Sequence, residues 1–183
     1  MRAIFVAALI IFLAGTAQAY PVPPVVKAKD FSAETRIFAD DATPEILLRY
    51  KNFSADWIRR SGNENFFKLK FDRKIISLMG SGIDWHVALN GYARHGKFSV
   101  LPSVGVRLYV RIRPRLDIEL QFSGMTLGGR GHFTDFESCI KYFPQKNFSI
   151  GAGWRRVDFN LRRGSDPANF VHSGPFVGIR YDF

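Results

Sequence analysis

Apolar and polar residues alternate along much of this chain. In 104–113, Val104, Val106, Leu108, Val110 and Ile112 share one face, and Gly105, Arg107, Tyr109, Arg111 and Arg113 share the other. The next run answers in the same phase. Leu116, Ile118, Leu120 and Phe122 point one way, while Asp117, Glu119, Gln121 and Ser123 point the other. Successive side chains of a strand project to opposite faces, so each run has one greasy and one charged side. The short "RPR" turn makes the two runs hairpin neighbours, which sets Arg107, Arg111 and Arg113 against Asp117 and Glu119.

Turn-rich gaps divide residues 45–183 into eight runs, at about 45–59, 66–78, 83–92, 98–111, 115–126, 131–143, 147–162 and 170–183. Most are longer than a globular strand and suit a tilted membrane strand of about 9–11 residues. Phe67, Leu69 and Phe71 oppose Lys68, Lys70 and Asp72; Ile83, Trp85, Val87 and Leu89 oppose Asp84, His86 and Asn90. Val157, Phe159 and Leu161 oppose Arg156, Asp158, Asn160 and Arg162, but Phe148, Ile150, Ala152 and Trp154 are out of phase with them. That run needs either a bulge near Arg155 or four residues packed inward. The first run has no clear parity. Residues 31–43 hold a short strand pattern, "FSAETRIF", whose role stays open.

The predicted fold is all-β, an eight-stranded antiparallel transmembrane up-and-down β-barrel over 44–183. It follows a signal peptide at 1–19 and a proline-rich lead-in at 20–43. The first nineteen residues carry one cation, Arg2, an apolar stretch from Ile4 to Gly15, and the ending Ala17-Gln18-Ala19. The apolar stretch falls short of the roughly 20 residues a spanning helix needs, so it reads as a cleaved export signal. The destination expected is the bacterial outer membrane.

Charge refines this picture. The chain has 26 Lys and Arg against 16 Asp and Glu, and the leader holds only one of them. A basic excess suits an anionic partner. Export argues against nucleic acid and for a phosphate-rich lipid surface. The single cysteine, Cys139, excludes an internal disulfide framework, and no metal motif surrounds it; no cofactor is expected.

The ending "FVGIRYDF" places Val177, Ile179, Tyr181 and Phe183 on one face. It resembles the terminal assembly signal of bacterial outer-membrane barrels, which implies recognition by the barrel-assembly machinery with Phe183 as anchor. With "GVRLY", "GAGWRRVDFNL" and "SGPFVGIRYDF", the chain is similar to the small outer-membrane β-barrel proteins of Gram-negative bacteria. From a periplasmic C-terminus, "PQKN", "RPR" and "GSG" become periplasmic turns, and "RGSDPAN", "GGRG", "ARHGK" and "SGNEN" become short outer loops.

This topology assigns candidate sites. The inward set is Arg107, Arg111, Arg113, Asp117, Glu119, Asp135, Glu137, Lys141, Arg156, Asp158, Arg180 and Asp182. Mixed signs in a narrow lumen read as an interlocked salt-bridge plug, with a narrow ion channel as the alternative. Arg59, Arg60, Arg94, Lys97, Arg130, Arg162 and Arg163 fall near the outer rim, where lipopolysaccharide phosphates would meet their forked or ammonium donors. Trp57, Trp85, Tyr92, Tyr142 and Tyr181 suit interfacial girdles. A lipid A-modifying enzyme is the other alternative. His172 and Ser173 are adjacent, however, and so point to opposite faces, while His132, Asp135, Glu137 and Ser138 lack a nucleophile signature. The function expected is structural, or interaction at the cell surface, with no catalytic residues.

Overall fold

The computed structural model describes residues 31–40, 42–60, 62–78, 81–162 and 168–183. The leader, the segment 20–30 and Arg163 lie outside the described residues. Ten strands form a closed antiparallel barrel: β1 (Phe31–Phe38), β2 (Pro44–Tyr50), β3 (Phe53–Arg60), β4 (Glu64–Leu78), β5 (Ser81–Arg94), β6 (Lys97–Arg113), β7 (Leu116–Thr126), β8 (Gly131–Gln145), β9 (Phe148–Leu161) and β10 (Ala168–Asp182). Each strand pairs with its sequence neighbours. β10 closes on β1 from Ser32↔Asp182 to Phe38↔Phe176. Among the described residues, Gly128–Arg130 is one short 3-10 turn.

The expected eight strands become ten for two reasons. "FSAETRIF" joins the wall as β1, so the barrel begins at Phe31 and not at residue 44. The run 45–59 is a hairpin, β2 and β3, folded at Lys51 and Asn52. Lys51 adopts a left-handed φ of 52° there, without a Gly or Pro to announce the turn. The run had no single parity because it is two strands. Elsewhere the turn chemistry is conventional: His95 (φ 48°) and Gly96 (φ 76°) close β5 onto β6 in a two-residue loop.

The first and last strands fix the two ends of the barrel. Phe183 N donates to Phe31 O at 3.0 Å, so the start of β1 and the end of β10 lie together. The connections after β2, β4, β6 and β8 share this terminal end. Those after β1, β3, β5, β7 and β9 form the opposite, loop end. β1–β3 have 7–8 residues, whereas β4–β10 have 11–17. One side of the wall is therefore short.

The polarity of the wall is inverted relative to a soluble protein. Val104 (60%) and Val177 (59%) are exposed on the outside, with Leu69, Leu89, Phe122 and Ile179. Arg36 (2%) and Arg155 (1%) are buried in the lumen, with Glu45, Lys68, Asp135 and Glu137. β6, β7 and β10 alternate in the phase the sequence predicts, with Val106, Leu108 and Leu120 among the exposed outer residues.

β9 reads differently. It has no bulge at Arg155; one phase runs from Phe148 to Leu161. Phe148, Ile150, Ala152 and Trp154 stand with Arg156 and Asp158 on the outer face, and Arg155, Val157 and Phe159 are buried within. Arg156 and Asp158 are therefore not lumen residues. The apolar pair Val157 and Phe159 faces inward because the loop end of the lumen is itself apolar.

Candidate functional site: the filled lumen

Two layers fill the barrel. The loop-end layer is aromatic. Phe66, near the start of β4, stacks on Phe133 of β8 (centroids 6.0 Å apart, 10° between planes) and on Phe170 of β10 (5.4 Å, 8°). Tyr92, Phe159, Ile58, Leu101 and Val157 complete the cluster. Tyr92 is thus an inward residue and not part of an outer girdle. Its hydroxyl donates to Glu64 Oε1 at 3.2 Å.

The second layer is ionic. It starts from alternation on β1, where Glu34 and Arg36 face inward. Arg36 Nη2 and Nη1 donate to Glu137 Oε1 and Oε2 at 2.8 and 2.9 Å. Its Nε donates to Glu34 at 2.6 Å, and Nη1 reaches Glu45 at 3.2 Å. The Arg36 guanidinium also lies 4.5 Å from the Phe176 ring centre. Arg155 is the second hub. It donates in fork fashion to Asp135 at 3.0 and 2.8 Å, pairs with Asp56 at 2.7 Å, and contacts Glu45. Lys68 reaches from β4 to Asp135 on β8 at 2.7 Å. Toward the terminal end, Lys141 bridges Glu119 (2.9 Å) and Glu34 (3.5 Å), and Arg107 contacts Asp84 and lies 3.7 Å from Glu119.

The physical logic is volume and charge together. An eight-stranded wall leaves room only for side chains, and a ten-stranded one is wider. Long Arg, Lys and Glu side chains span the extra width, and burial of the ions just named is tolerable because they meet opposite charges. The cavity left between Arg36, Arg49, Asp56, Lys68, Glu119 and Arg155 is about 20 Å³, room for about one water.

The predicted lumen residues divide four ways. Arg107, Glu119 and Glu137 belong to the ionic layer, as do Asp135 and Lys141. Arg111–Asp117 (3.0 Å) and Arg180–Asp182 (2.7 Å) form separate pairs near the terminal end. Arg113 is exposed beside its turn, where the β6–β7 register shifts. Arg156 and Asp158 stand outside, where Arg156 lies 3.7 Å and His132 3.2 Å from Asp158. The sequence reading missed both hubs. Arg36 lay in a stretch with no assigned role, and Arg155 lay one residue from the phase chosen.

The other candidate residues take these positions. Arg59, Arg60, Arg94, Lys97, Arg130 and Arg162 gather at the loop end. Glu64 lies 3.3 Å from Arg94 and 3.9 Å from Arg60, whose Nη1 donates to Val171 O at 3.0 Å. Val177, Ile179 and Tyr181 share the outer face of β10, and Phe183, one residue past its end, is exposed beside them. His172 is buried against Phe38, with ring centres 4.1 Å apart, while Ser173 points outward. The described residues contain no group of three or more acidic, His or Cys residues arranged to hold a metal ion. No model of a known family matches the chain, and no curated protein is significantly similar to it.

Proposed function

We propose that this chain is an outer-membrane β-barrel with a self-neutralising, closed lumen, serving a structural or cell-surface interaction role against lipopolysaccharide. One observation carries the reading: the closed wall is apolar outside and encloses a buried ionic layer beneath its aromatic one. A soluble barrel would pay for an exterior bearing Val104, Val177 and Ile179 in water; hydrocarbon takes such a surface readily. The strand lengths of β4–β10 meet or exceed the roughly 9–11 residues of a tilted spanning strand. The Arg36 and Arg155 hubs, with the Phe66 stack above them, favour a plug over a narrow channel. The loop-end cations favour contact with lipid phosphate.

The test is fractionation with a heat-modifiability gel. A folded band in the outer-membrane fraction that shifts on boiling supports the reading. Release into the periplasm without detergent overturns it. Replacing Arg59, Arg130 and Arg162 by Gln should lower binding to lipopolysaccharide-containing vesicles and flatten its salt dependence. Unchanged binding removes the phosphate-contact part.

A further inference from the structure

The outer wall is not uniformly convex. On the side of the short strands lies an apolar groove of about 680 Å³, within the size range of small-ligand sites. Register explains it. Leu48, Ala55, Leu69, Leu89 and Pro102 stand in one row across β2–β6, each opposite the next. Ala55 is the small residue between two leucines, so the wall dips there. The adjacent row holds Tyr50, Phe53 and Phe71, with the Phe53 and Phe71 ring centres 5.0 Å apart.

Two exposed cations lie just beyond the terminal end of this groove. Lys51 sits in the turn beside Tyr50, its Nζ 5.2 Å from that ring centre. Arg73 is exposed and is the next outward residue after Phe71 on β4. An apolar trough with two exposed cations just beyond its end is complementary to an acyl chain with a phosphate at its head. A polypeptide occupant fits poorly. The strand ladders beneath already use their backbone groups, and a peptide would bring its own unsatisfied ones into hydrocarbon. An acyl chain brings none.

We propose that this groove holds one acyl chain of an anionic phospholipid, with its phosphate against Lys51 and Arg73. The inference rests on the membrane reading above.

The full chain, refolded in detergent, would be titrated with phosphatidylglycerol and with diacylglycerol of the same acyl chains, and bound lipid counted by native mass spectrometry. One saturable phosphatidylglycerol per barrel is expected, held about tenfold more tightly than diacylglycerol. Lys51→Gln with Arg73→Gln should erase that preference. Ala55→Trp should abolish the adduct, and Ile179→Trp on another part of the wall should leave it intact. Unsaturable adducts, or equal adducts in wild type and Ala55→Trp, overturn the proposal. So does a dimer that Ala55→Trp dissociates, which would make a second copy the occupant.

Should Ala55→Trp fail to fold, brominated acyl chains decide. In single-tryptophan proteins they should quench Trp57 and Trp85, which flank the groove, more than Trp154 on β9; equal quenching overturns the site. A chain that inserts into bilayers but holds no saturable lipid refutes only this inference. A chain that folds without detergent and ignores bilayers refutes the membrane reading.

Discussion

Arg36 on β1 and Glu137 on β8 meet inside the barrel through two hydrogen bonds of 2.8 and 2.9 Å, although β9 and β10 separate their strands in the wall. No ladder bond joins β1 to β8, so this contact reports closure itself. It also explains an adjacent glycine. A Cβ at Gly178 would come within 2.8 Å of Arg36 Cγ, so the wall leaves that space to the arginine.

Removing one member of such a network strands its partners in a low dielectric. Arg36→Met should lower the unfolding free energy in detergent by about 3–5 kcal/mol, because Glu34, Glu45 and Glu137 all lose a cation. Adding Glu137→Leu should recover part of the loss, since two apolar groups cost less than one unpaired ion. Denaturant unfolding of the three proteins checks this. A double variant less stable than Arg36→Met would contradict the account.

Neighbouring arginines on β9 should behave oppositely. Arg155→Ala removes a hub that is 1% exposed and should cost about 3–5 kcal/mol. Arg156→Ala removes a side chain that is 55% exposed and should shift stability by no more than about 0.5 kcal/mol. Unfolding midpoints of the two variants measure the contrast. Equal losses would mean that β9 is one residue out of register.

That contrast also shows what the sequence could reveal. Alternation on β6, β7 and β10 was legible because each carried apolar residues on one face and charges on the other. Parity tells which residues share a face, and polarity tells which face is inside only if the lumen is polar throughout. β9 crosses from the ionic layer into the aromatic layer. Arg155 and Phe159 are on one face, and Ile150 and Asp158 are on the other, so polarity misled the phase after Arg155. The strand count failed for a different reason. Lys51 takes a left-handed conformation that a Gly or Asn would have announced, and β1 to β3 are short enough to look like one long run and a stray strand. The ion pairs themselves were mostly out of reach, because Arg36–Glu137 and Lys68–Asp135 join strands that are not neighbours in the wall.

The aromatic layer should stabilise the fold without acting alone as the gate. Phe66→Ala removes a ring stacked between two others and should cost about 3–5 kcal/mol. The ionic layer beneath it stays filled. Planar bilayers should therefore show no stepwise conductance for wild type or for Phe66→Ala. Steps in the variant alone would move the seal to the aromatic layer, and steps in wild type would favour a channel.

Phe183 has two separable roles to test. In the folded barrel its N–H donates to Phe31 O, and its ring lies 5.3 Å from Phe31 and 5.0 Å from Tyr181. Those contacts close the seam at the terminal end, but they are exposed and near a chain end, where fraying is inexpensive. Deleting Phe183 should therefore cost only about 1 kcal/mol in detergent refolding, of the order of one hydrogen bond. If the residue is read by assembly machinery, the same deletion should reduce the yield of inserted protein in cells far more than that small loss explains. Comparing refolding in detergent with the heat-modifiable band from membranes separates the two. A parallel decline in both would assign Phe183 to the seam alone.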